Sequence, residues 1–250
     1  MNELTWQFDG LPFRMLLELV GRDRLPFPLQ YRPIADSAAD YHRQRHEASN
    51  KAQRALDDDL RLAVDIVLRP LVRIEVVGHT RTQNAGAVKL RAHAAVGHGF
   101  AAVLTQAPGA DELSGGRVTL RLTAASAAVN AVLSVLPSAQ RGSTARIDVE
   151  RPSDAAPASP LMARVEPQTN IQRYEKLFAR SPSGAGEILV CAGSAADSRP
   201  QEGTTGVQWV EFRGDGRYMV RHSSMISVLP VSAEELAAEI RRCVDESIAY

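Results

Sequence analysis

The sequence predicts an α+β protein made of two related halves, each an antiparallel β-meander flanked by helices. Apolar residues first recur with a helical period, then alternate with polar residues over four consecutive segments, and both patterns return after residue 168. The element order of helix, four strands and helix therefore occurs twice. We predict one 250-residue domain with halves at residues 1–150 and 168–250, joined by a proline-rich linker at residues 151–167.

Two helical segments open the first half. The first carries apolar residues on one face: Phe13, Leu16, Leu17 and Val20. Three prolines within residues 21–33 then end the helical pattern. The second segment spans residues 37–68, and the aspartates at 57–59 offer a cap for a new helix inside it. A metal site at these aspartates is the alternative, but it needs converging ligands from elsewhere in the chain.

Strands follow when the period changes from that of a helix to two. The predicted strands of the first half are 71–79, 86–96, 98–106 and 116–122. Thr123 is a candidate cap for the next helix, which Pro137 ends. One further strand, "ARIDVE", precedes the linker. These segments predict a meander with a helix behind it.

The second half repeats this order in fewer residues. A helix at 170–180 leads into the segments "GEILVCAG", "GVQWVEF", "RYMVRH" and "ISVLP". Ser232 and Glu235 have the spacing of a capping box and begin the last helix, 232–248. Its inward stripe is predicted to be Leu236, Ile240, Val244 and Ile248.

The stretch "RGDGR" lies between two of these strands and predicts a hairpin tip. Gly214 and Gly216 adopt positive φ at little cost, and Asp215 favours turns. Phe212 and Tyr218 are then expected to lie near one another across the hairpin.

Charge and composition argue against several classes of function. Lys plus Arg equal Asp plus Glu at 29 each, so no overall field favours nucleic acid or an anionic membrane. The sequence has no run of 18 apolar residues, the length that would predict a membrane-spanning helix. Cys191 and Cys243 lack a metal-ligand spacing and predict small core residues in a reducing compartment. We expect a cytoplasmic protein.

Histidines are the candidates for catalysis or metal binding. His42 and His46 stand four residues apart on a predicted helix, but no Glu completes an H-E-x-x-H motif, which favours a solvated helix face. An enzyme with an unrecognised site would use His79, His93 or His98, and a small-ligand-binding α+β module is a further alternative. The sequence contains no recognised nucleophile, cofactor or metal motif.

Two stretches resemble one protein family. The amino-terminal "LTWQFDGLPFRMLLELVGRDRLPFPLQ" is similar to the opening of the EspG family, the cytosolic chaperones of actinobacterial type VII (ESX) secretion. The carboxy-terminal "GVQWVEFRGDGRYMVRHSSMISVLPVSAEELAAEI" is similar to that family's tryptophan strand, Gly-Arg-Tyr strand and Val-x-Pro entry into the last helix. The resemblance implies a fold of two related halves. It also implies binding to the helical tip of a PPE protein in a PE/PPE heterodimer, without catalysis, cofactor or metal.

The resemblance points to the sheet and the carboxy-terminal helices as the partner-binding surface. On the last helix, the charged residues off the apolar stripe are Glu234, Glu235, Glu239 and Arg242. A charged rim of this kind sets partner choice and association rate. If the partner does not bind there, we expect it on the strands around Trp209 and Tyr218.

Overall fold

The structure is a computed structural model that describes residues 3–82, 86–111, 113–151, 168–194 and 203–249. Within these residues, ten strands form one antiparallel sheet with helices on both of its faces. The predicted α+β class is confirmed. The linker predicted at 151–167 lies outside the described residues except for residue 151.

The helices and strands follow the predicted order closely. The first ones are β1 (Leu4–Phe8), α1 (Gly10–Leu19), α2 (Ala38–Ala55), α3 (Asp58–Leu68), β2 (Val72–Thr82), β3 (Gly86–Val96), β4 (Phe100–Pro108), β5 (Gly115–Ala124) and α4 (Ala128–Leu133), the last preceded by a 3-10 turn. The remaining ones are β6 (Ile147–Glu150), α5 (Gln168–Phe178), β7 (Gly184–Ala192), β8 (Thr205–Phe212), β9 (Gly216–His222), β10 (Met225–Pro230) and α6 (Ala233–Ala249).

The strand order of the sheet is β1-β5-β4-β3-β2-β7-β8-β9-β10-β6. Its centre is the antiparallel pair of β2 and β7, in register from Val72 opposite Ala192 to Thr80 opposite Gly184. Strand β6 pairs with β10, although it precedes the linker in the sequence. Each side of the centre therefore holds five strands in the same relative order.

Three apolar clusters cover the sheet. On one face, α4 and α6 pack over the central strands, and their cluster includes Ile74, Ile188 and Trp209. On the opposite face, α1 and α3 pack over β4 and β5, and α5 packs near β6 and β9. Helix α6 thus lies where the two five-strand sets meet.

Caps and turns explain several element boundaries. Asp57 begins α3, because its carboxylate accepts a hydrogen bond from Leu60 N at 2.8 Å. The predicted cap at Thr123 is wrong, since Thr123 still pairs with Ala101 in the sheet and the helix begins later. Sequence analysis also missed β1, whose residues pair with β5 from Leu4 to Phe8.

Candidate partner-binding surface

Helix α6 begins at a reciprocal cap. Ser232 Oγ accepts a hydrogen bond from Glu235 N at 3.2 Å, and the Glu235 carboxylate accepts one from Ser232 N at 2.7 Å. Ser232 Oγ also donates to exposed Glu234 at 2.8 Å. The predicted capping box is confirmed. Glu235 pairs in addition with Arg141 at 3.0 Å, which places the loop after α4 beside the start of α6.

Glu239, one turn further along α6, is buried rather than exposed. Its carboxylate pairs with Arg242 on α6 at 2.8 Å and with Arg221 on β9. Burial alone would raise the pKa of Glu239, but the guanidinium groups of Arg242 and Arg221 outweigh it and hold that pKa below its usual value. Hydrogen bonds from Arg242 to Glu239 and Glu246 in turn raise the pKa of Arg242. Glu239 therefore ties α6 to the sheet.

The inward stripe of α6 is shorter than predicted. Leu236, Ile240 and Val244 are buried against the sheet, and Cys243 joins them. Ile248 is 51% exposed, so its predicted burial is wrong. The last turn of the helix therefore meets solvent.

A groove of about 470 Å³ lies beside α6. Met219 on β9 and Leu229 on β10 are paired in register and form its apolar floor. Met219 also packs into the cluster beneath α6, so the groove and the helix share one face of the sheet. The other residues that line the groove are Arg141, Ala145, Arg146, Arg221, Pro230, Val231, Glu235 and Glu239. The groove thus combines an apolar floor with a charged rim.

The turn between β8 and β9 anchors the loop after α4, whose residues Arg141, Ala145 and Arg146 line one side of this groove. Asp215 in that turn accepts hydrogen bonds from Ser143 N and Oγ, both at 2.8 Å, from Tyr218 Oη at 2.9 Å and from Arg180 at 2.6 Å. Burial opposes ionisation, but the hydrogen bonds from Ser143, Arg180 and Tyr218 hold the pKa of Asp215 well below its usual range. Tyr218 Oη also accepts from Thr144 N at 2.9 Å. The turn therefore anchors the loop at residues 143–144.

Gly216 and Arg217, the first residues of β9, anchor the same loop at its earlier residues. Gly216 has a φ of +152°, and a Cβ there would lie 2.5 Å from Gln140 O. Arg217 N donates to Gln140 O at 2.8 Å, and the buried Arg217 side chain pairs with Glu211 at 2.6 Å and donates to Pro137 O. Together with the contacts of Asp215 and Tyr218, these contacts anchor residues 137, 140, 143 and 144 of the segment 137–146, which we call the wall segment. Only glycine fits where the wall segment crosses the turn.

Comparison with known proteins places this fold in a family. The profile of the EspG family matches residues 10–242, which is most of the chain. The chain belongs to the EspG family. No curated protein sequence matches it.

A solved structure shares the fold along nearly the whole chain. It is the Mycobacterium tuberculosis type VII secretion system chaperone EspG5 in complex with a PE25–PPE41 dimer. The match has a TM-score of 0.53, covers 97% of this chain and 96% of that chain, and has 10% sequence identity. At this identity the likeness concerns the fold.

In this EspG-family protein, the Gly-Arg-Tyr motif has a structural role. Tyr218 and Trp209 are each 1% exposed, so neither side chain reaches the surface where sequence analysis expected a partner. The Phe212 and Tyr218 rings lie 5.9 Å apart between centroids, as predicted for the hairpin. The motif anchors the wall segment, and Trp209 packs in the core beneath α6. We therefore leave both side chains out of the contact surface.

The histidines do not gather into one site. His79 lies opposite Lys89, which is four residues along β3 from His93, or about 13 Å at the usual rise of a strand. His93 is buried, whereas His98 is exposed beyond the end of β3, and His42 and His46 are exposed on α2. Among the described residues, no group of three or more His, Cys, Asp or Glu side chains is placed to hold a metal ion. None of the helices in that part of the chain has the length and apolarity needed to cross a bilayer.

Proposed function

We propose that this EspG-family protein is a cytosolic chaperone and adaptor of type VII (ESX) secretion. In this role it binds the helical tip of a PPE protein within a PE/PPE heterodimer, keeps the pair soluble and directs it to its secretion system. The proposed activity is binding, without a reaction, a cofactor or a metal.

Family membership together with a shared fold carries this proposal. The matched residues, 10–242, include every residue of the groove beside α6. EspG5, which has the same fold over nearly its whole chain, is described as a type VII secretion chaperone in complex with a PE25–PPE41 dimer. Both observations support a binding role for this chain.

The surface beside α6 has the properties that such a role requires. A helical tip with exposed apolar residues aggregates unless another surface covers it. Helix-in-groove packing covers such a tip with an apolar floor, and charged residues around the floor set orientation and rate. A stable interface covers about 800 Å² on each partner, so the proposed contact extends from the groove onto Glu234, Glu235 and Arg242 of α6.

Coexpression tests the proposal directly. The chain is produced together with each PE/PPE pair encoded near its own gene, with a tag on the PPE protein only. We expect one pair to retain this chain through affinity and size-exclusion steps, and to be more soluble than the same pair expressed alone. A pair from an unrelated ESX system serves as the specificity control. If every neighbouring pair elutes without this chain and its solubility is unchanged, the proposed function is wrong.

A further inference from the structure

We infer that the groove beside α6 receives the apolar end of a partner helix that is flanked by carboxylates, which Arg141, Arg146 and Arg221 recognise. This inference rests on the proposed function, and it adds the place where the partner binds and the charge that it carries. The resemblance indicates α6 and the sheet only as a region, whereas the groove within it and the charge of its occupant rest on the residues that line the groove.

The floor of the groove determines the apolar part of the occupant. Met219 and Leu229 lie on the same face of β9 and β10, next to each other in register. Leu229 is half-buried and its side chain lines the groove, and exposed Ala145 lines it as well. Covering this floor with apolar side chains removes it from water, at about 25 cal/mol for each Å².

The rim determines the charge of the occupant. The side chains of Arg141, Arg146 and Arg221 are 55%, 61% and 42% exposed. Of the two carboxylates that line the groove, Glu239 is only 8% exposed, beneath Arg221 and Arg242. Among the residues that line the groove, a partner therefore meets three guanidinium groups and one accessible carboxylate, that of Glu235, while Glu234 and the Asp148 carboxylate paired with Arg146 lie outside this lining.

Two of these guanidinium groups keep donors for a partner. Arg141 uses Nε in its ion pair with Glu235, and Arg146 uses Nε in its pair with Asp148. Within the described residues, the terminal nitrogens of both side chains make no hydrogen bond. An arginine presents five N–H donors, and its terminal pair binds a carboxylate through two parallel hydrogen bonds. Both rim arginines are thus able to bind a partner's Asp or Glu.

The wall segment carries Arg141 and Arg146 next to anchored positions of the chain. Asp215 and Tyr218 hold residues 143 and 144, and Gly216 and Arg217 hold Gln140. Both arginines therefore lie within two residues of an anchored position. A preformed wall lowers the conformational entropy that is lost on binding, which favours affinity without any additional contact.

Charge reversal tests the inference. The double variant Arg141→Glu/Arg146→Glu is compared with Arg69→Glu, since Arg69 is also an exposed arginine paired with a carboxylate, Asp65, but lies at the end of α3, away from the groove. Binding of the PE/PPE pair that copurifies with the wild type is followed by surface plasmon resonance at low and high salt. We expect the double variant to associate about tenfold more slowly at low salt, a difference that shrinks at high salt, whereas Arg69→Glu behaves as wild type.

A steric variant tests the same groove without changing charge. Ala145→Trp places a large side chain at the exposed edge of the groove, and we expect it to weaken equilibrium binding at least about tenfold at both salt concentrations. Thermal unfolding of each variant verifies that it is folded.

The outcomes separate this inference from the proposed function. If the wild type binds no PE/PPE pair, the proposed function fails. If the wild type binds and folded variants of the rim and of Ala145 bind equally well, the function stands and the groove is not the site. If only Ala145→Trp loses binding, the groove is the site but the acidic occupant is wrong.

Discussion

At the scale of the residue, His93 on β3 is a buried histidine enclosed by charged groups. Its Nδ1 lies 2.8 Å from Phe27 O and donates a hydrogen bond to it, whereas its buried Nε2 has no hydrogen-bond partner within the described residues. Arg22, Arg73 and Glu75 line the small space beside it. Burial lowers the pKa of His93 to about 4; the Phe27 hydrogen bond opposes the shift, and the two arginines add to it.

This lowered pKa predicts a loss of stability in mild acid. The unfolded chain binds a proton on His93 near the ordinary pKa of about 6.5, while the folded protein keeps the ring neutral. The contribution of His93 is therefore complete above about pH 6.5 and is lost as the pH falls to 4. It amounts to roughly 3 kcal/mol, since one pKa unit corresponds to about 1.4 kcal/mol. His93→Asn keeps a donor for Phe27 and is expected to flatten the pH dependence of urea unfolding between about pH 7 and 4.5.

Two comparisons isolate the effect of His93. Burial raises the pKa of Glu75, so this group works in the opposite direction: the folded state takes up its proton first as the pH falls. Glu75 is present in wild type and variant, so the difference between their two curves reports His93. His42→Asn, at an exposed position on α2, is expected to keep the wild-type curve. A His93→Asn curve parallel to that of wild type would contradict the prediction.

At the scale of the element, sequence periodicity predicts helices and strands that have one buried and one exposed face. The strands of the meander and helix α6 are such elements. The caps at Asp57 and Ser232 correctly predict where α3 and α6 begin. Strand β1 escapes this reasoning because it has only five residues and helix α1 follows it almost at once. Its partner β5 lies more than 100 residues away in the chain, beyond the reach of any local pattern.

The groove lies beyond local sequence patterns for the same reason. Arg141 and Glu235, which meet at its rim, are 94 positions apart in the chain. The helical period of α6 assigns Glu239 to the polar face, and only the approach of Arg221 from β9 makes its burial possible. Family resemblance indicated α6 and the sheet as a region, but the individual contact residues depend on tertiary neighbours.

The different surroundings of two glutamates on α6 give a matched prediction. Glu239→Gln leaves the two arginines without their buried carboxylate and is expected to destabilise the fold by about 1–3 kcal/mol. Glu235→Gln is expected to cost less than about 0.5 kcal/mol, because glutamine also completes a capping box and the lost pair with Arg141 is half exposed. Urea unfolding at neutral pH measures both. Equal costs would show that Glu239 does not tie α6 to the sheet.

At the scale of the whole molecule, the strand order relates the two sides of the sheet. Each strand from β1 to β5 has a counterpart at the same distance from the centre on the other side. Strand β1 corresponds to β6, β2 to β7, β3 to β8, β4 to β9 and β5 to β10. We propose from this order that the two sides are related by duplication, as the repeated sequence pattern predicts. Strand β6 lies at the edge of the second set, so by strand pairing the second repeat begins at β6, before residue 150.

Both sides of the sheet nevertheless contribute to the cluster beneath α6, which predicts that neither folds alone. Strands β2 and β7 pair over nine residues at the centre, β6 pairs across to β10, and the cluster beneath α6 draws buried residues from both sides. We expect residues 1–156 and 157–250 to be insoluble when expressed separately and to associate when coexpressed, with a tag on one fragment reporting the other. Ile188→Lys in the second fragment places a charge in the cluster beneath α6 and is expected to abolish association, whereas Glu187→Lys, at the exposed neighbouring position, is expected to preserve it. Two fragments that each unfold cooperatively in isolation would instead mean that the chain holds two separate domains.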